Sequence, residues 1–299
     1  MLVTTPVLRG ATATLMSVAV LSVATLMVAC VGTVTPLAPS LRGSVGTPGH
    51  GVLTEGVELP VSGPGFERYR PVSPNYWGVP RLVAAVQSAA ASVAQAAPGG
   101  PPLVVGDFSA RTGGKIPHHA SHRTGRDVDL LYYFTDVYGQ PVKSPGFVNV
   151  GSDSIAAVPG TRQFVRLDVE REWQLLRALL TDPNIEILWM FVSRDIKAIM
   201  LQQALALGEP TWVIWRAQQV MYQPRDSAIH DDHIHLRIAC SATERPLGCD
   251  GGGPYWPWFA PLEPQQDLDE VMLDAIARDE PLTPDATCLS SNVEETTIQ

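Results

Sequence analysis

Lysine is scarce in this 299-residue chain: only Lys115, Lys143 and Lys197 occur, and Lys and Arg together number 21 against 30 Asp and Glu. A net charge of −9 lacks the basic footprint of a nucleic-acid binder, so no nucleic-acid partner is expected. None of the three lysines has Ser three residues before it, so the Ser-x-x-Lys pair of one class of serine acyl enzymes is absent. No Gly-x-Ser-x-Gly marks a nucleophile elbow either. Proline and glycine, by contrast, are plentiful, at 26 and 25 residues. That favours a loop-rich fold with extended linkers over a helical bundle. The length leaves room for one sizeable domain with extensions, or at most two domains.

The one long apolar run lies at the start. Residues 1–30 read as an export signal, with Arg9 as its only charge and Ala11 to Ala29 apolar. The run closes on Val28-Ala29-Cys30, which resembles a bacterial lipoprotein box with Met27 where Leu, Val or Ile is usual. Three fates stay open: lipidation at Cys30, cleavage nearby, or an uncleaved anchor, since the run is just long enough to span a bilayer. Any membrane association is expected through this segment alone. Residues 31–70 read as a Gly/Pro-rich tether that cannot bury enough surface to fold, with His50 a solvated bystander. A folded domain is expected over 71–262. An acidic, partly disordered tail follows over 263–299, with one candidate helix through Leu268, Val271, Met272, Ala275 and Ile276.

Within the domain, Pro80 suits a first helical turn, and Leu82, Val83, Val86, Ala90 and Val93 predict an amphipathic helix to about Ala96. Leu103 to Asp107 reads as a short strand, and Ser109 to Gly114 as a loop. Asp168 is placed to cap a helix running to Leu180, with Trp173, Leu176 and Leu180 on its buried face. Ile185 to Val192 reads as a buried strand and Asp195 to Leu207 as a helix stopped at Gly208. The fold class is α+β: a small antiparallel sheet carrying a metal site, with flanking helices and long loops. Cys240 and Cys249 bracket a short loop, which in an exported protein reads as a disulfide, with thiolate ligation of zinc as the competing reading. Cys288 has no obvious partner.

Seven histidines occur, and six fall in two short stretches. The first is His118-His119-Ala120-Ser121-His122-Arg123-Thr124-Gly125-Arg126-Asp127-Val128-Asp129; the second is His230-Asp231-Asp232-His233-Ile234-His235-Leu236-Arg237-Ile238. Both end in polar–apolar alternation, the pattern of a half-buried strand. His233, His235 and Arg237 therefore share one face, and Asp127 and Asp129 share another. Gly125 allows the turn between His122 and its strand. One His, one carboxylate and one imidazole of the His233/His235 pair would supply three zinc ligands and leave a fourth position for water, which is how a catalytic site differs from a closed structural one. Both Asp127 and Asp129 could supply the carboxylate on this pattern.

His122 with Asp129 seven positions on, then His233-x-His235, resembles the lysostaphin, D-alanyl-D-alanine metallopeptidase and hedgehog superfamily. The run Ser121-His122-x-x-Gly125-x-Asp127-Val128-Asp129, preceded by His119 and followed by His230-x-x-His233-x-His235, is closer still to the penicillin-insensitive murein endopeptidases. The resemblance spans Tyr76-Trp77-Gly78 to Cys249, including Gly113-Gly114 and Ile187 to Lys197.

It implies a Zn2+ cofactor on His122, Asp129 and His235. His233 would be general base or stabiliser of the tetrahedral intermediate, with His119 and His230 lining the site. Asp127 would hydrogen-bond a ligand imidazole or Arg126. For Arg111 and Arg237 an ion pair within the protein is preferred to a substrate carboxylate. The implied substrate is cross-linked peptidoglycan peptide, cut between D-alanine and diaminopimelate in the periplasm or cell envelope. The alternatives are a D,D-carboxypeptidase or dipeptidase of the same superfamily, or a non-catalytic zinc-bearing wall-binding module.

Overall fold

Asp127–Leu131 and His233–Ile238, the two alternating stretches, pair antiparallel as the centre of the main sheet. This computed structural model describes residues 40–261, apart from 226 and 252. The strands of the main sheet are β1 (Ser62–Gly63), β2 (Phe66–Arg68), β3 (Leu103–Val105), β4 (Asp127–Leu131), β5 (Ile187–Phe191), β6 (Met221–Tyr222) and β7 (His233–Ile238). They lie in the order β6-β5-β7-β4-β3-β2-β1.

The α+β class holds, but the small antiparallel sheet expected from the sequence is a seven-stranded mixed one. β2 is parallel to β3 and β5 to β6; the remaining neighbours are antiparallel. Length explains the discrepancy: β1 and β6 have 2 residues each and β2 has 3, too few to display alternation. A second sheet of four short antiparallel strands, between Phe134 and Leu167, is hidden in the sequence for the same reason.

Parallel neighbours require a long crossover, and helices supply both. α1 (Pro80–Ala96) joins β2 to β3, with Pro80 in its first turn as the sequence predicts. α2 (Val169–Thr181) precedes β5, and the Asp168 carboxylate accepts from the Arg171 N–H at 3.2 Å as its N-cap. α3 (Arg194–Ala206) and α4 (Thr211–Val220) together carry the chain from β5 to β6. α3 is capped by Ser193, whose hydroxyl accepts from the Ile196 N–H. Gly208, at φ +66°, lies just past its end, where a left-handed residue fits glycine best. α4 is not evident from the pattern: Val213, Ala217 and Val220 are buried while Trp212 and Trp215 stay exposed, so its apolar residues form no single stripe.

Alternation then separates two faces. Val128, Leu130, Ile234, Leu236 and Ile238 join Leu82, Val86, Trp173, Leu176 and Met200 in one buried core. Asp127, Asp129 and His235 occupy the other face.

The expected tether is folded from Ser44 onward. Ser44–Thr47 and His50–Leu53 form a hairpin, Val57–Glu58 pairs with Trp77–Gly78, and β1 and β2 enter the main sheet. Its Gly/Pro-rich composition conceals the apolar anchors Val45, Leu53, Leu59 and Phe66, all buried. Arg126 ties the hairpin to the centre: Nε donates to the Ser44 hydroxyl at 2.8 Å and Nη2 to the Asp250 carbonyl at 2.6 Å. His50 is exposed, as expected.

Cys240 and Cys249 are disulfide-bonded, with Cα atoms 5.9 Å apart. Cys240 lies two residues past β7, so the link holds the end of the strand that carries His235. The segment read as an export signal, Cys30, the candidate tail helix and Cys288 lie outside the described residues. Among those described, no helix is long and apolar enough to cross a membrane.

Candidate active site

The register of β4 and β7 sets His235 opposite Asp129 and Arg237 opposite Asp127. His122 arrives from the preceding loop. Its own left-handed backbone (φ +63°) and that of Gly125 (φ +74°) make the turn into β4. A non-glycine residue in that region is held there at a cost, a feature that clusters at functional sites. His118 and His230 share it.

Each of the two imidazoles has one nitrogen committed. His122 Nδ1 lies 2.6 Å from the Phe108 carbonyl, which only accepts, so Nδ1 carries the hydrogen and Nε2 presents a lone pair. His235 Nε2 lies 2.8 Å from Asp127 Oδ1, which leaves Nδ1 free in the same way. These free nitrogens converge on Asp129 Oδ1. His122 Nε2 is 3.2 Å from it, His235 Nδ1 is 3.4 Å from it, and the two nitrogens are 3.4 Å apart. A tetrahedral zinc with bonds of about 2.0–2.1 Å has ligand–ligand edges of roughly 3.3–3.4 Å.

Asp129 Oδ1 is buried and accepts no hydrogen bond, an arrangement that is costly without a cation beside it. The donor set, two imidazoles and a carboxylate, is one that zinc takes. These residues fit a zinc ion.

Electrostatics follows the same geometry. Burial would raise the Asp129 carboxyl, but His122 and His233 hold it well below the usual carboxylate range. Burial acts likewise on Asp127 and is outweighed by Arg237, at 2.6 Å, and by His235. Burial pushes His235 down to about 4, so its ring is neutral and ready to ligate. His122 is raised: burial opposes protonation, but the Asp129 charge wins. A metal and a proton therefore compete for its Nε2.

Three further histidines surround this triangle. His233 Nε2 lies 3.3 Å from Asp129 Oδ1, and its Nδ1 is 2.6 Å from Asp232. Burial lowers His233, but Asp129 and Asp232 outweigh it and lift the group to about 10. His119 Nε2 meets Asp107 at 3.3 Å. His230 Nδ1 donates to the Ala228 carbonyl at 2.6 Å, and burial together with His233 lowers its pKa. A cleft of about 700 Å³ opens over the group, lined by His119, His230, His233, Phe147 and Phe191 among others.

All six residues singled out from the sequence, His119, His122, Asp129, His230, His233 and His235, thus meet at one place. His118 is exposed at the rim of the cleft. Asp127 bonds His235 and Arg237 rather than Arg126, whose guanidinium is taken by the hairpin. Arg237 makes the internal ion pair preferred for it, and Arg111 rests over the Trp77 ring at 5.3 Å. Sequence reasoning misses Asp107, Asp232 and the Phe108 carbonyl. Asp232 had a signal, as the immediate neighbour of His233; the contacts of Asp107 and Phe108 depend on tertiary structure alone.

The family model described as penicillin-insensitive murein endopeptidase matches residues 44–253. This match begins at the hairpin, earlier than the resemblance traced from Tyr76. Curated relatives bear the same name. The one from Klebsiella pneumoniae subsp. pneumoniae is 28% identical over 235 residues, covering 74% of this chain and 78% of the relative. Those from Shigella sonnei and Escherichia coli are each 26% identical and cover 77% of this chain and 81% of the relative.

Proposed function

The chain belongs to the penicillin-insensitive murein endopeptidase family, and on that premise we propose that it hydrolyses D-alanyl-diaminopimelate cross-links in peptidoglycan, with zinc held by His122, Asp129 and His235. The observation that carries this reading is the triangle of His122 Nε2, Asp129 Oδ1 and His235 Nδ1, with edges of 3.2–3.4 Å. A zinc ion bound there supplies a polarised carbonyl and a water whose pKa falls to about 7.

The chain's own groups do the rest. Asp127 fixes the tautomer and orientation of His235, as carboxylates behind metal-bound imidazoles do. Asp232 takes the Nδ1 side of His233, which lines the cleft with its Nε2 3.3 Å from Asp129 Oδ1. There it can hold a proton against charge developing on the scissile carbonyl oxygen, and pass it to the departing amine. Asp107 and the Ala228 carbonyl fix His119 and His230, which orient water and peptide in the cleft.

The compartment proposed is the cell envelope, reached through the apolar N-terminal segment with lipidation or removal of Cys30. The Cys240–Cys249 disulfide supports it, because such bonds persist in oxidising compartments.

Weighing the products from purified cross-linked muropeptide dimers tests the reading. Cleavage to monomers is the expected result. Loss of terminal D-alanine alone would make the protein a carboxypeptidase, and binding without products a wall-binding module.

A further inference from the structure

Five Asp and Arg residues line the catalytic cleft: Arg70, Asp107, Asp129, Asp232 and Arg237. Four of them are committed. Asp107 bonds His119, Asp232 bonds His233, Arg237 is paired with Asp127, and Asp129 sits among the histidine nitrogens. The guanidinium of Arg70 makes no ion pair or hydrogen bond among the described residues; it lies over its neighbour Tyr69, 5.4 Å from the ring centre.

Its backbone, in contrast, is fixed. The Arg70 N–H donates to the Tyr76 hydroxyl at 3.0 Å, the Arg70 carbonyl accepts from the Ser73 N–H, and the Tyr69 N–H donates to the Val105 carbonyl. An aromatic bridge links this lip to the reaction centre. Tyr69 meets Phe147 edge-on at 5.3 Å, and Phe147 meets His233 in the same manner at 5.2 Å. Two neighbouring arginines are occupied: Arg68 is buried against Glu58, and Arg111 rests on Trp77.

An uncommitted guanidinium on a rigid lip beside a peptidase cleft suits one kind of ligand group, a carboxylate, which it can grip through two parallel N–H bonds. A D-alanyl-diaminopimelate cross-link carries one next to the bond to be cut, on the carbon bearing the scissile nitrogen. We propose that Arg70 is a positioning residue that binds this amine-side carboxylate and thereby selects cross-links in which it is free. The inference rests on the peptidase reading above.

The test uses zinc-loaded mature protein and two muropeptide dimers that differ only in amidation of that carboxyl group. Wild type should favour the free acid by about 10- to 100-fold in kcat/KM, carried by KM, the range of one charge-assisted contact. Arg70→Gln should lose the preference by losing activity on the free acid alone, with kcat nearly unchanged, and Arg70→Lys should restore part of it. Arg70 is exposed, so the variants should melt with wild type. A wild type indifferent to amidation, or an Arg70→Gln variant that keeps the preference, would overturn the assignment of Arg70 while leaving the peptidase intact. A wild type that cleaves neither dimer would overturn the peptidase reading, and the proposal with it.

Discussion

Asp127 Oδ1 sits 2.8 Å from His235 Nε2, the nitrogen opposite the one that faces Asp129. Two carboxylates two positions apart on β4 therefore act on opposite sides of one imidazole. Asp129 stands in the triangle with His122 and His235, and Asp127 braces the ring from behind.

That division predicts unequal losses. Asp129→Ala removes a ligand, whereas Asp127→Ala removes a brace and should weaken zinc binding by about 10- to 100-fold. Zinc dissociation constants of the two variants decide it. Equal losses, or a greater loss in Asp127→Ala, would reverse the assignment.

His233 and His235 should separate in the same way. His233→Ala should keep the metal and lose most hydrolysis, since His233 lines the cleft and its Nδ1 is held by Asp232. His235→Ala should lose metal and activity together. Metal content and turnover measured on the same preparations test this, and an empty site in His233→Ala would make His233 a ligand.

Much of this site is legible in the sequence because strand alternation is a local property. His233, His235, Asp127 and Asp129 can be placed on faces without knowing which strands pair. The register that sets His235 opposite Asp129 is not local, and neither is the Phe108 carbonyl that fixes the His122 tautomer. The helices with clear start signals and a single apolar stripe, α1 and α2, are equally readable. The hairpin from Ser44 is not: its glycines and prolines suggest a tether, and its few buried apolar anchors are held by contacts distant in sequence, such as that of Arg126 with Ser44.

A stability prediction concerns Glu172 on α2, away from the histidine–carboxylate triangle. Its carboxylate accepts the Tyr133 N–H at 2.9 Å. Burial nonetheless pushes the group up to about 8, from an ordinary value of 4.5, against the pull of that bond. Below the lower value folded and unfolded chains both hold the proton. Between the two values only the folded chain keeps it, so stability falls as pH rises, by up to about 1.4 kcal/mol per pH unit, and levels off above the higher one. Glu172→Gln keeps the acceptor and removes the titration. Relative to wild type it should therefore gain stability as pH rises from about 4.5 to about 8 in denaturant melts. A variant-to-wild-type difference that stays constant across that range would contradict it.

The central claim is that the histidine–carboxylate triangle holds a catalytic zinc with one position open to water. Metal analysis of the purified mature protein after mild dialysis, paired with muropeptide cleavage before and after chelation, tests it most directly. About one zinc per chain is predicted, with cleavage lost on its removal and regained on its return. A metal-free protein that still cleaves cross-linked muropeptides would contradict the account.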